Sequence, residues 1–284
     1  ALSNKILFSG PKGIGKSTMA YHFINYIFSK DEVAPYNLRD FLINAENKSF
    51  KLIENQSHPN IFNIDLLDEK KSIDISQIRE MISYANKSSF NSKPRLVLID
   101  NVENLNINSL NALLKIVEEP NENLFFLLVH DSKKKISDTL KSRCITFKLN
   151  LTFEESIEIT NKILGENVFD ILNDELINYY ITPGEIINFI NFSRNYKIDL
   201  KNNSIKELLR LLIEENYYNK DKFIRFYLSN IIQIYFLHLI YKKKAKKEVF
   251  DLHNKFIHMN YNCNKFNLNY ENLFIEFKSK VLDG

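Results

Sequence analysis

Residues 6–17 read ILFSGPKGIGKS, an apolar run that leads directly into a glycine-rich, basic segment. The pattern G-x-x-x-x-G-K-[ST] begins at Gly10 and ends at Ser17, and it is typical of a phosphate-binding loop between a strand and a helix. The glycines let successive backbone N–H groups turn toward phosphate oxygens, and the positive end of the following helix attracts the same anion. We therefore predict a strand over Ile6–Ser9, a phosphate loop, and a helix from about Lys16.

The loop predicts a nucleotide site with ATP and Mg²⁺ as the candidate cofactor. Lys16 would reach the β- and γ-phosphates, and the Ser17 hydroxyl would bind Mg²⁺. A second element of such sites is an apolar strand that ends in an acid, and Leu96–Asp100 fits it, with Asp100 holding Mg²⁺ through water. A glycine-rich turn without a ligand is the alternative. The candidate nucleotide contacts are Gly10, Pro11, Lys12, Gly13, Ile14, Gly15, Lys16, Ser17, Thr18 and Asp100.

Short apolar runs alternate with amphipathic stretches over residues 1–150, which predicts an α/β domain with a parallel sheet and flanking helices. Apolar residues recur at helical spacing in Asp74–Asn86 and in Ser109–Glu119. The predicted strands are Ile6–Ser9, Ile61–Ile64, Arg95–Asp100, Phe125–Val129 and Ile145–Leu149.

Only helices are predicted after Asn150. Thr152 and Glu155 have the spacing of a capping box. The Thr182-Pro183-Gly184 segment is predicted to be a turn between two helices, and the polar stretch Asp199–Asn203 a hinge. We therefore divide the chain into domains 1–150, 151–200 and 201–284.

Composition excludes several classes of protein. The chain has 284 residues, 44% of them hydrophobic and 26% charged, and its net charge of +3 does not suit a protein that coats nucleic acid. Its two cysteines make neither a disulfide framework nor a zinc quartet, so a reducing, cytoplasmic setting is expected. The apolar run Ile231–Tyr241 is short for a membrane span, and no leader precedes the first strand, so we predict no membrane segment and no secretion signal. The basic run Lys242–Lys247 is interpreted as a solvated helix end, with a DNA contact as the alternative.

Three further blocks follow the phosphate loop in a fixed order: Asp100–Leu105, Asn111–Pro120 and Ser142–Cys144. Together they resemble the bacterial DNA polymerase III clamp loaders of the AAA+ superfamily over roughly residues 5–150. The resemblance implies a AAA+ nucleotide-binding domain, a small helical lid, and an all-α C-terminal collar domain. It also implies gamma/tau ATPase and delta subunits as partners, with the sliding clamp and primer-template DNA reached through the complex, and no membrane. Members of this family have one or two helices before the first strand, so we expect a trimmed start.

The chain departs from the ATPase subunits of this family in residues of the nucleotide site. Asn101 stands where they resemble one another in a water-orienting Glu, and an amide cannot act as a general base. Glu103 is the candidate substitute, if the strand continues that far. His130 and Asp131 replace a residue that senses the γ-phosphate, and Glu185 replaces a lid arginine. These departures favour the family's delta-prime type, with an ATPase that is absent or weak.

A further departure concerns zinc. The ATPase subunits carry a four-cysteine zinc module between the phosphate loop and the Asp strand, and this chain has no cysteine there. Only a remnant of the end of that region is kept, in His58-Pro59-Asn60. We predict no zinc site.

Arg143 is the residue to which the resemblance gives a catalytic role. In the family the Ser-Arg-Cys arginine acts in trans, on the γ-phosphate of ATP bound by the neighbouring subunit. A structural arginine at a helix end is the alternative. For the whole chain, an active clamp-loader ATPase stays open, and so does a P-loop small-molecule kinase, which would leave Asn111–Pro120 and Ser142–Cys144 unexplained. A DNA contact, if any, is expected at the helix start Asn106–Ser109.

Overall fold

The computed structural model describes residues 3–67, 70–87, 93–177, 181–242, 247–266 and 268–284. The chain divides into two compact units, Ala1–Thr152 and Phe153–Gly284. The first contains a sheet with flanking helices and the second contains helices in its described part. The predicted class, a parallel α/β domain followed by a helical region, is confirmed.

The sheet of the first unit has five parallel strands in the order β2-β3-β4-β1-β5. The strands are β1 Lys5–Gly10, β2 Ile61–Ile64, β3 Arg95–Ile99, β4 Leu124–Asp131 and β5 Ile145–Lys148. All five predicted strands are confirmed, with bounds that differ by at most two residues. Because the strands are parallel, all of them start at one edge of the sheet and end at the opposite one. We call these the amino edge and the carboxyl edge.

Helices cover both faces of the sheet. They are α1 Lys16–Ser29, α2 Lys48–Glu54, α3 Ile75–Asn86, α4 Ile107–Glu118 and α5 Asp138–Lys141. Successive side chains of β1 point to opposite faces of the sheet. Phe8 packs with Ile24 of α1 on one face, whereas Leu7 belongs to the core cluster of α3 and α4 on the other. Both predicted helices are confirmed. Asp74 is the N-cap of α3, and α4 begins two residues before the predicted Ser109 because Asn106 caps it.

The second unit consists of α6 to α14 and a terminal π turn, and these elements share one hydrophobic core that extends from Ile157 to Leu282. The helices are α6 Phe153–Leu164, α7 Val168–Ile171, α8 Asp174–Ile177, α9 Pro183–Tyr196, α10 Ile205–Glu214, α11 Tyr217–Lys220, α12 Lys222–Lys242, α13 Lys247–Phe266 and α14 Glu271–Phe277. The turn predicted at Thr182-Pro183-Gly184 is instead the start of α9. Thr182 is the N-cap, and proline is well suited to the first helical position because its missing N–H has no partner to lose there. The division into lid and collar at residue 200 stays a prediction.

Helix α12 contains a long apolar stretch. By length and composition alone, Phe223–Tyr241 could cross a membrane, and 44% of its most apolar window is buried inside the protein. Its buried residues, among them Ile224, Leu228 and Phe236, belong to the core of the second unit. A core helix has the same composition. Residues 243–246 of the predicted basic run lie outside the described residues.

Candidate nucleotide site and arginine

The phosphate loop lies at the carboxyl edge, between β1 and α1, and its glycines are required by the backbone. Gly13 and Gly15 have φ angles of 81° and 97°, in the region that favours glycine. A side chain at Gly10 would place its Cβ 2.5 Å from the carbonyl oxygen of Leu149. The spacing of glycines in the sequence pattern is therefore explained by the shape of the loop.

Lys16 is held inside this loop. Its side chain is buried, and Nζ donates to the carbonyl oxygens of Gly10 at 2.8 Å and Pro11 at 2.7 Å. Burial lowers the pKa of Lys16, and the carboxylates of Asp131 and Asp100 act in the opposite direction. A phosphate oxygen is a stronger partner for an ammonium group than a carbonyl. Lys16 is thus in place to bind a phosphate in the loop.

Ser17 and Asp100 meet next to the loop. The Ser17 hydroxyl donates to Oδ2 of Asp100 at 2.5 Å, and the backbone N–H of Asn101 donates to Oδ1 at 2.8 Å. Burial raises the pKa of Asp100, and the hydrogen bond from Ser17 acts against this rise. Mg²⁺ prefers oxygen ligands and needs few from the protein when phosphates and water supply the others. These two residues therefore fit an Mg²⁺ ion that arrives with a nucleotide.

Asn101 faces a carboxylate that the sequence did not single out. It has a left-handed backbone, with φ 55°, and its side-chain N–H donates to Oδ1 of Asp65 at 2.7 Å. Asp65 directly follows β2, which pairs with β3, so the two strand ends bring these side chains together. Asn101 thus occupies the position at which a water-orienting Glu was expected, and its amide is hydrogen-bonded to the carboxylate of Asp65. Sequence alone missed Asp65 because it does not tell which strands are neighbours.

The strand β3 does not continue as far as Glu103, so the condition set for Glu103 as the substitute acid is not met. Residues Val102–Asn104 form a 3-10 turn, because the left-handed residue before them ends the strand. The side chain of Glu103 is only 1% exposed. One oxygen accepts from the backbone N–H of Asp131 at 3.1 Å, and the other lies 3.6 Å from Nζ of Lys134. Glu103 connects this turn to the end of β4.

His130 is bonded on both ring nitrogens. Nε2 lies 3.0 Å from the carbonyl oxygen of Lys134, and Nδ1 lies 3.0 Å from the hydroxyl of Ser9. Because a carbonyl only accepts, we assign the proton to Nε2 and let Nδ1 accept from Ser9. The side chain is buried, which agrees with a structural role.

In the second unit, Glu185 is used to begin α9. Its carboxylate accepts from the backbone N–H of Thr182 at 3.1 Å and from the Thr182 hydroxyl at 3.0 Å. Arg194, near the end of the same helix, donates to both oxygens of Glu166 at 2.8 and 2.9 Å. The acid at position 185 is thus explained by helix capping.

The His58-Pro59-Asn60 segment supports the amino edge of the sheet. The His58 ring packs on Phe28, with 4.6 Å between ring centroids, and burial lowers the pKa of His58 to about 4. Asn60 donates through its side chain to the carbonyl oxygen of Pro94, at the start of β3. In the described part of the chain, no group of three or more His, Cys, Asp or Glu could hold a metal ion.

Arg143 lies at the amino edge, just before β5. One guanidinium nitrogen is 2.5 Å from Oε1 of Glu118, and another donates to the carbonyl oxygen of Thr139 at 2.8 Å. Nζ of Lys5, at the start of β1, lies 3.5 Å from the Glu118 carbonyl oxygen. The six residues of β1 separate this edge from the phosphate loop by about 16 Å, which is longer than an arginine side chain. The structure thus brings the loop, Lys16, Ser17 and Asp100 together and leaves Arg143 apart.

The residues beside Arg143 hold its backbone in place. Cys144 packs against the core of the first unit, and burial raises the pKa of its thiol to about 11. The Ser142 hydroxyl donates to the carbonyl oxygen of Thr139. Of the three residues, only the arginine reaches a charged partner at the surface.

The start of α4 is closed by its own side chains. Asn106 accepts from the backbone N–H of Ser109 at 2.9 Å, and the Ser109 hydroxyl donates to the carbonyl oxygen of Ile73 at 2.8 Å. Both groups have local roles. The DNA contact at Asn106–Ser109 stays a prediction.

Comparisons with known proteins place the first unit in a family. Residues 1–152 match the family described as DNA polymerase III, delta subunit. The delta' subunit of Pseudomonas aeruginosa is 29% identical over 139 residues, which are 49% of this chain and 40% of that protein. A gamma subunit of Buchnera aphidicola from Schizaphis graminum is 34% identical over 168 residues, 58% of this chain and 44% of that protein. The chain thus spans less than half of the length of these two relatives.

One solved structure aligns along nearly the whole chain. It is a gamma subunit-related protein of Thermotoga maritima, at 16% identity and a TM-score of 0.47, and the alignment covers 96% of this chain and 93% of that one.

Proposed function

The chain belongs to the DNA polymerase III delta subunit family, and from this premise we propose that it is a clamp-loader subunit of the delta-prime type. It would help to load the sliding clamp onto primed DNA in the cytoplasm, together with gamma/tau ATPase and delta subunits. Clamp and primer-template DNA would be reached through the complex. Relatives of both the delta' and the gamma kind match the chain, so the choice between them depends on the site.

The position of Arg143 is the observation that carries the proposed role in the complex, whereas the choice of the delta-prime type depends on Asn101 and the other departures in the chain's own site. The side chain of Arg143 lies at the amino edge, where it is 32% exposed, and its own phosphate loop lies at the carboxyl edge. An arginine placed in this way is out of reach of its own phosphate loop, so any nucleotide that it contacts is bound by another molecule. A guanidinium stabilises the charge that develops on a transferring phosphoryl group, and such arginines contribute on the order of 10³–10⁵ in rate.

The chain's own site supports binding rather than hydrolysis. Gly10 to Thr18 would hold ATP, and Ser17 and Asp100 would hold its Mg²⁺. Bound Mg²⁺ would neutralise phosphate charge, while Lys16 orients the phosphates. Asn101 has no carboxylate with which to take up the proton of an attacking water. We propose that hydrolysis by this chain is absent or weak, and that no zinc is bound.

An active ATPase is the second candidate, because two carboxylates lie close to the site. Asp65 contacts Asn101 directly, and Glu103 is near enough to Lys16 for its charge to oppose, together with Asp131 and Asp100, the larger lowering of the Lys16 pKa by burial. Either acid could replace the missing base if it reached the attacking water. This candidate predicts ATP hydrolysis by the isolated chain.

The test is ATP hydrolysis by the complete complex, assembled with the ATPase and delta subunits of the same organism and stimulated by clamp and primed DNA. We expect Arg143→Ala to lower turnover by about a hundredfold or more, whereas Lys16→Ala should have almost no effect. Arg194→Ala is the matched control, since Arg194 is also an exposed arginine paired with one glutamate. It should leave turnover unchanged.

The isolated chain decides between the two candidates. If it hydrolyses ATP and Lys16→Ala abolishes that activity, the chain is an ATPase. If Arg143→Ala has no more effect on the complex than Arg194→Ala, the arginine has no role in trans.

A further inference from the structure

Two sequence blocks that lie far apart along the chain meet at the amino edge. Glu118 comes from Asn111–Pro120, at the last residue of α4, and Arg143 comes from Ser142–Cys144. Their side chains form an ion pair with 2.5 Å between Nη2 and Oε1. The role proposed for Arg143 does not explain why the Asn111–Pro120 block is present. The ion pair gives this block a direct contact with the Ser142–Cys144 block.

The ion pair fixes the direction of the guanidinium but does not saturate it. A guanidinium has five N–H donors. One donates to Glu118 and one to the carbonyl oxygen of Thr139, which leaves three for a further ligand. A phosphate oxygen can accept from these remaining donors.

The two partners of Arg143 stand on rigid elements. Thr139 belongs to α5, and Glu118 ends α4, whose Leu113 and Val117 are fully buried in the core of the first unit. A long side chain held at two points loses little further freedom when it binds a ligand. This kind of preorganisation raises the rate of a reaction that depends on a group in a fixed position.

We propose that Glu118 is a positioning residue for Arg143, and that its carboxylate holds the guanidinium ready for the γ-phosphate of a neighbouring subunit's ATP. This rests on the proposed function of Arg143. Glu118 itself does not touch the nucleotide. It acts only through the arginine, so its effect must disappear when the arginine is removed.

The alternative is that Glu118 restrains Arg143, in which case removal of its carboxylate would raise turnover. A carboxylate next to the guanidinium also neutralises part of its charge, so Glu118 could restrain the arginine instead of preparing it. The side chains of Arg143 and Glu118 are 32% and 48% exposed, and water screens such a pair strongly. We therefore expect the orientation of the Arg143 guanidinium by Glu118 to have a larger effect on turnover than the partial neutralisation of its charge.

The experiment measures ATP hydrolysis by the complete complex, with clamp and primed DNA, for Glu118→Gln in the wild-type and in the Arg143→Ala background. In the wild-type background we expect turnover to fall about fivefold with KM for ATP unchanged, because the neighbour's own loop binds the nucleotide. In the Arg143→Ala background the same change should have no effect. Glu166→Gln, which removes the carboxylate partner of Arg194, is the matched control and should leave both values unchanged.

Without the Glu118 carboxylate, Arg143 still reaches solvent and keeps its bond to the Thr139 carbonyl oxygen, so the thermal unfolding midpoint should not change. The proposal is overturned if Glu118→Gln raises turnover, leaves it unchanged, or lowers it equally in the Arg143→Ala background. If Arg143→Ala itself leaves turnover unchanged, the trans role of the arginine fails, and the role of Glu118 fails with it. A loss with Arg143→Ala but none with Glu118→Gln overturns only the positioning role.

Discussion

The two edges of the sheet hold their charged groups in different ways. At the carboxyl edge, Lys16, Ser17 and Asp100 have hydrogen-bond partners within the loop and its neighbouring strand ends. At the amino edge, Arg143 and its partner Glu118 both reach solvent. The first arrangement suits a ligand that enters the chain's own loop. The second leaves a cation available to another molecule, which is why we assign the two edges to different nucleotides.

The largest effect expected from this comparison is that of Arg143→Lys in the assembled complex. The substitution keeps the positive charge but loses the planar group that donates two parallel hydrogen bonds. We expect turnover with clamp and primed DNA to fall by on the order of 10², similar to the loss of one transition-state donor. Arg194→Lys is the control and should have no effect. Full activity with lysine would mean that charge alone acts at the amino edge.

The elements that sequence predicted well are those with strong local signals. The apolar runs were sufficient to predict strands β1 to β5, and the glycine pattern was sufficient to predict the loop that contains Lys16 and Ser17. In both cases the backbone conformation depends on the residues of the segment itself. The resemblance led to Arg143, but neither it nor the spacing predicted its contact with Glu118, which depends on how the end of α4 meets the segment that precedes β5.

The less successful predictions concern residues whose role is set by a neighbour distant in sequence or by a single backbone angle. Glu103 was a candidate substitute only if β3 continued that far, and the strand ends earlier because Asn101 turns left-handed. Asp65 was missed because the pairing of β2 with β3 brings it to Asn101. Thr182-Pro183-Gly184 contains turn-forming residues, yet Glu185 completes a capping box that makes it a helix start.

The contact between Asp65 and Asn101 at the carboxyl edge can be tested by placing a second acid beside Asp65. Asn101→Glu would put a carboxylate next to Asp65 and a non-asparagine residue at a left-handed position. We expect a loss of about 2 kcal/mol in the free energy of unfolding, measured in urea. Adding Asp65→Asn should recover about 1 kcal/mol, because it restores an acid–amide pair and removes the repulsion.

Asn123 provides a matched control for the strain alone, since it has φ 58° and is exposed. Asn123→Glu should cost about 1 kcal/mol. An equal cost at positions 101 and 123, with no recovery from Asp65→Asn, would mean that Asp65 and Asn101 are not coupled.

The smallest effect concerns His58. This residue also lies at the amino edge, but unlike Arg143 it is a titratable group that packs against an aromatic ring, that of Phe28. Burial lowers the folded-state pKa of His58 to about 4; the charge of Glu32 acts against this shift, and that of Lys93 adds to it. The unfolded chain therefore binds the proton first as pH falls, so the neutral ring stabilises the fold above about pH 6.5 and this contribution is lost between pH 6.5 and 4.

The backbone N–H of Asn60 donates to Nδ1 of His58 at 3.2 Å. His58→Asn removes the titrating ring and keeps an acceptor for this N–H, so the variant should be less stable than the wild type at pH 7. At pH 4.5 we expect that difference in unfolding free energy to shrink by about 1 kcal/mol, a value that allows for solvent screening of a half-buried ring. The measurement is urea unfolding of both proteins at the two pH values. A difference that stays constant would mean that His58 is protonated equally in the folded and unfolded chain, and that the amino edge is open to water there as well as at Arg143.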